Sequence, residues 1–306
     1  MWKVTTIVLL VLVVVSLFVL YYFYDRARMY DSLKTEYDTL NHTYSVLSQN
    51  YTSLEGQYST TNAQLTSLRD AYNTLQTQYN DLQTQHNAWY DTLRTRINLR
   101  QGLDQDKMKF ITPDDPLVRS LVVNITGGWS ETANWNEYWG DSWLMYTHVT
   151  YNIHENHDSL LPLMPTMYGA LEWRQEFWNF PNETIEFGYG DSEDKAVLLA
   201  SMILNYGSKN YTEWIIEWTS DSGPHYAVAF PVTGGQLTIM DPTVDFHTVG
   251  SNGRLGAKDI NEAVTEFVSF LGGKGEKNVK IDLVFSTKVY KTFVNTDGFI
   301  QWASNQ

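Results

Sequence analysis

Gly190-Asp191-Ser192-Glu193-Asp194-Lys195-Ala196 is the stretch on which the reading of this chain turns. It opens a segment, 191–204, in which Ala196, Leu199, Ala200 and Ile203 recur at helical spacing. A helix is predicted there, started by Asp191 or Ser192, because short oxygen-bearing side chains satisfy free backbone N–H groups at a helix start. Working outward, strand-like runs cover 211–218, 225–232 and 236–240. A second helix is predicted over 258–271, with Ile260, Ala263, Val264, Phe267 and Leu271 on one face, and a last strand over 279–285. Upstream, 117–155 reads as helical and rich in Trp, and 160–165 as a Pro- and Met-bearing loop. A helix-rich half before a strand-rich half makes 117–306 an α+β head.

Two more segments matter. Gly223-Pro224-His225-Tyr226-Ala227-Val228 opens one strand, and Met240-Asp241-Pro242-Thr243 closes the next. In this order and spacing the three segments resemble the transglutaminase-like superfamily, a papain-like fold. The family pattern is Gly-Asp-Cys-x-Asp-x-Ala, then a His at a strand start, then Asp-Pro or Asp-x-Thr. Upstream, Trp178-Asn179-Phe180-Pro181-Asn182-Glu183-Thr184 looks like the archaeal, membrane-anchored branch of that family. The resemblance covers roughly residues 117 to 245 and implies a papain-like head with Ser192, His225 and Asp241 at the catalytic positions.

The chemistry of such a trio is clear. A nucleophile at a helix N-terminus sits where backbone N–H groups and the macrodipole favour negative charge. A His brought opposite by a strand takes the proton, and an Asp on the neighbouring strand orients the imidazole. Here the chain departs from the family, because position 192 is Ser. A thiol ionises near neutrality beside a His, whereas a hydroxyl must lose its proton during attack. Three readings of Ser192 stand: a catalytically impaired head used for binding or display, a serine-dependent acyl transferase or amide hydrolase, or an engineered Cys-to-Ser exchange. Taken singly, Ser192 is also an ordinary helix cap, Asp241-Pro242 an ordinary turn, and His225 an ordinary strand-start residue.

Other candidates are weighed against plainer roles. His148, His154 and His157, with Glu155 and Asp158, could hold a metal, His154 and His157 sharing a helix face. Asn156 and Asp158 instead suggest a helix end, and the expectation is no metal and no cofactor. Gly272-Gly273-Lys274-Gly275 lacks the Ser or Thr of a phosphate loop and reads as a turn. Trp178 lines the site or packs the core, and with 11 Trp in the chain the core is favoured.

The N-terminal third is a different object. Residues 4–24 carry no charge and span a bilayer core at about 1.5 Å per residue. Tyr21 to Tyr24 form an aromatic belt, followed by Arg26 and Arg28. Small residues of a cleavage site are missing after the apolar run, so 1–29 is expected as a retained anchor. Tyr recurs every seven residues from Tyr30 to Tyr58 and again at Tyr72 and Tyr79, while Leu recurs from Leu33 through Leu82, interrupted at Thr61. That a/d seam predicts a parallel coiled-coil stalk over 30–97, a dimer or trimer of this chain, with the 64 residues from Tyr30 to Leu93 about 95 Å long. Residues 98–116, with Gly102, Pro113 and Pro116, are expected as a linker.

Charge and composition close the set. The chain of 306 residues has net charge −14. Residues 1–29 hold three basic and one acidic side chain, and 30–100 five basic and seven acidic, so the whole −14 falls on 101–306. Such acidity excludes nucleic acid as partner, since a phosphate backbone needs a basic face. The absence of Cys excludes disulfides, zinc–thiolate sites and iron–sulfur clusters. Sequons at Asn41, Asn50, Asn124, Asn182 and Asn210 favour a head outside the cell. The expected protein is single-pass in the cell membrane, its extracellular head meeting a protein, peptide or cell-wall ligand.

Overall fold

The computed structural model describes residues 2–130, 134–166 and 169–306. The chain divides into two compact units between His86 and Asn87. Helix α1 (Trp2–Leu99) runs unbroken because its only Gly is Gly56 and it contains no Pro. Most of its Thr hydroxyls turn back onto the carbonyl four residues earlier, as Thr35 does onto Asp31 at 2.8 Å. Every side chain of 2–86 is exposed in the single chain, the Tyr and Leu of the seven-residue repeat included. The first part of α1 is long and apolar enough to cross a membrane, a test of length and composition that a signal sequence also passes.

The second unit is mixed α and β. A 3-10 turn (Asp104–Phe110) precedes α2 (Pro116–Thr126) and α3 (Trp135–Asn152). A hairpin of β1 (Leu161–Leu163) and β2 (Glu172–Arg174) follows, then α4 (Pro181–Phe187) and α5 (Ser192–Tyr206). Strands β3 (Trp214–Ser220), β4 (Gly223–Val232), β5 (Gln236–Asp241), β6 (Phe246–His247) and β7 (Lys258–Asp259) come next. Then come α6 (Ile260–Gly273), β8 (Lys280–Phe285), β9 (Tyr290–Thr292) and α7 (Thr296–Ala303). The main sheet is antiparallel in the order β6-β5-β4-β3-β8-β9, with β7 beside β5.

One face of this sheet carries α5 and the other α6 and α7, giving two core layers. Tyr226, Val228, Phe230 and Met240 point into the α5 layer. Trp218, Ala227, Ala229 and Ile239 alternate into the α6 layer with Phe267 and Phe299. Helix α5 was expected to be amphipathic. It is buried on all sides except at Asn205, because it lies between the sheet and the helices α2, α3 and α4.

Three expectations need correction. Residues 98–116 are not a free linker. Arg100 accepts the Trp178 N–H on its carbonyl at 2.8 Å and forks onto Glu183 at 2.5 and 2.6 Å, while Phe110 and Ile111 enter the core. Gly102 makes this possible: at φ +55 it turns the chain where any Cβ would stand 2.4 Å from the Trp178 ring. Pro116 begins α2, with Asp115 as its cap, rather than spacing two domains. The stretch 160–165 contributes β1 rather than only loop.

Candidate active site

Ser192 is the first residue of α5, as the sequence demanded, and is almost fully buried. Its Oγ donates to Glu193 Oε2 at 3.1 Å. Among the described residues no hydrogen bond joins Ser192 to His225. Glu193 is itself buried, and burial, then the charges of Asp191 and Glu176, pushes its carboxyl well above the usual range. Asp194, one residue on, is buried too. It accepts from the Asn179 backbone N–H at 2.7 Å and from Asn179 Nδ2 at 2.6 Å, tying α5 to the start of α4. Burial and the Asp191 charge still raise its carboxyl to about 8.

His225 and Asp241 come together, but not as a hydrogen-bonded pair. Asp241, at the end of β5, is fully buried. Its Oδ1 accepts from the Thr243 and Val244 N–H groups at 3.0 and 3.3 Å, and its Oδ2 from Trp218 Nε1 at 3.1 Å. Burial raises the carboxyl to about 6 against these three donors. His225 lies directly across from Trp218 in the β3–β4 ladder, and the two rings stack at 4.6 Å with 11° between planes. Its Nδ1 is buried without a partner. Trp218 is the residue that reading the sequence missed. The two-residue turn Asp221-Ser222, closed by the Ser220↔Gly223 pair, fixes the register that sets Trp218 opposite His225, and that turn was the available signal.

Lys195 was also missed. It stands three residues beyond Ser192, hence on the same face of α5, and is buried. Burial pushes its ammonium below the usual lysine range, against the charges of Glu155, Asp241 and Asp191. Among the described residues it makes no ion pair.

The metal candidates rearrange. Helix α3 ends at Asn152, so His154 and His157 share no helix face. His154 forms a backbone bridge to Tyr189, which steers the chain into α5. His148 turns onto Asn152 at 2.9 Å. Asp158 instead joins Asp191 and Glu193, the two residues flanking Ser192, with one oxygen from each within 4.8 Å of the others. Oxygen-only ligands of this kind suit a hard cation such as calcium or magnesium. Burial and Asp191 raise the Asp158 carboxyl to about 7, and Asp191 is raised by its own burial.

Trp178 is a core residue: fully buried, its Nε1–H given to Glu176 at 3.0 Å, its ring edge-on to Tyr226. Gly272 and Gly273 finish α6, and Lys274 caps it. Pro224 and Tyr226, the neighbours of His225 in β4, line a cavity of about 810 Å³ together with Gln101, Lys107, Glu176, Glu217 and Asp282. Lys107 crosses it to reach Glu217 at 2.5 Å and the Tyr226 hydroxyl at 2.7 Å.

Neither a family model nor a curated protein sequence matches the chain. Among solved structures, LapG of Legionella pneumophila is similar at 14% identity and a TM-score of 0.31, over 63% of this chain and 98% of that chain. A likeness at that score assigns neither family nor activity, so the residues around Ser192 stand on their own chemistry.

Proposed function

We propose that this chain is a membrane-anchored cell-surface protein whose coiled-coil stalk carries a transglutaminase-like head that binds rather than catalyses. The observation that carries this reading is the Ser192 hydroxyl, given to Glu193 and not to His225. A hydroxyl given to the neighbouring Glu193, with its histidine stacked on Trp218, has no imidazole base to activate it. The apolar start of α1 supports the anchor and the sequons support an extracellular head. The cavity of about 810 Å³ supports binding, since ligand sites commonly span ~300–1,000 Å³. A protein, peptide or cell-wall ligand is the partner class.

A second reading, serine-dependent acyl transfer or amide hydrolysis, has two observations in its favour. His225 keeps an unpartnered Nδ1, and Lys195, which makes no ion pair among the described residues, is buried one turn from Ser192. A fluorophosphonate probe, which reacts only with an activated serine, decides between them. The full chain in detergent should remain unlabelled from pH 6 to pH 9. Labelling that disappears in Ser192→Ala establishes the second reading instead.

A further inference from the structure

Trp218 touches both remaining members of the trio, and nothing in the expected chemistry of the site accounts for it. Its N–H occupies Asp241 Oδ2, and its face covers the His225 ring. The indole is held from behind: it is fully buried and packs edge-on to Phe267 of α6 at 6.2 Å. The register of β3 against β8 shifts between Glu217 and Trp218, an irregularity of the kind that re-aims a side chain beside a site.

We propose that Trp218 is the positioning residue of this site, its indole standing where an imidazole would sit on Asp241 and its face fixing the His225 ring. The inference rests on the binding reading of the head and names what keeps the retained histidine idle. With Trp218, Thr243 and Val244 all donating, Asp241 has both oxygens satisfied and does not need the His225 N–H. His225 then keeps Nδ1 unpartnered, and its orientation comes from stacking on a neutral ring instead of from a carboxylate. Two carboxyls feel the charge of His225, which lowers both: Asp241 from β5, and Glu276 from the connection between α6 and β8. Only Asp241 is bound by the indole; Glu276 accepts from Ser220.

The test is the proton affinity of His225, read by NMR on the full chain in detergent with 13C-labelled histidine. The chain has 7 His, and the His225 signal is the one lost in His225→Gln. Trp218→Phe keeps an aromatic face but removes the donor. The freed Asp241 carboxylate should then take the Nδ1–H, and the His225 pKa should rise by about one pH unit. Adding Asp241→Asn to Trp218→Phe should abolish that rise. A pKa unchanged within about 0.2 in Trp218→Phe, or a rise that survives Asp241→Asn, overturns the proposal. Where Trp218→Phe does not fold, β-(3-benzothienyl)alanine at 218 puts sulfur in place of the N–H on the same ring shape, and the same two outcomes decide. This readout needs no turnover. Labelling of Ser192 by fluorophosphonate would therefore remove the binding reading while leaving the pKa cycle to stand or fall by itself.

Discussion

At the scale of single residues, the site is governed by where protons are held. The backbone N–H groups at the start of α5 favour an anion at position 192, but Asp191, Glu193 and Asp158 crowd the same place with carboxyls. A thiol there should feel the burial and the carboxylates more than the helix end, because both burial and like charge disfavour a thiolate. Ser192→Cys introduces the only cysteine of the chain, so its chemistry can be read cleanly. Iodoacetamide should alkylate it slowly at pH 7 and quickly only above about pH 8.5. Fast alkylation at pH 7 that is lost in His225→Ala would show a working thiolate–imidazole pair, and the reading of an impaired site would fail.

At the scale of elements, α1 and α5 make opposite use of apolar residues. Helix α5 buries nearly every side chain because other elements surround it. Helix α1 leaves Leu33, Leu40, Leu47, Leu54, Leu68, Leu75 and Leu82 at 64–69% exposure in the single chain, with Tyr between them. A seam of this length in water has a strong drive to be covered, at about 25 cal/mol per Å² of apolar surface removed. The partner proposed is one or two further copies of this chain entering the membrane in the same direction, which puts identical seams in register. Sedimentation of the detergent-solubilised chain should give two or three times 35.3 kDa, and replacing Leu47, Leu54 and Leu68 by Ser should return it to one. A wild-type monomer would exclude the coiled coil.

For the whole molecule, the −14 charge and the buried acids set the response to pH. Burial raises Asp241 to about 6, Asp158 to about 7, and Asp194 and Glu213 to about 8, against about 4 in an unfolded chain. The folded state thus keeps protons that the unfolded state releases. Their contribution is complete below about pH 4 and is lost as pH rises toward 8. Glu183 works the other way: Arg100 and the Phe180 N–H hold it below its usual range, so its contribution is lost only as pH falls below about 4. The thermal midpoint of the head, followed by tryptophan fluorescence, should fall between pH 5 and pH 8.5, and Glu213→Gln should flatten the decline. A midpoint that rises over that interval would show that these acids are already ionised in the fold.

Local pattern determined much of this protein. The uncharged run at 4–24, the seven-residue period and the lack of breakers made α1 a single helix, and alternation with turn residues placed β3, β4, β5 and β8 to within a few residues. Ser192 at a helix start and His225 and Asp241 on neighbouring strands were legible for the same reason: each follows from the residues beside it. What those groups touch was decided only in three dimensions. Asp158 reaches Asp191 from another segment, Trp218 meets His225 and Asp241 through strand register, and 98–116 packs into the core because Gly102 turns beneath Trp178. Periodicity reports which face of an element is buried; it carries no record of which distant side chain fills the space opposite, and that choice puts Trp218 between His225 and Asp241.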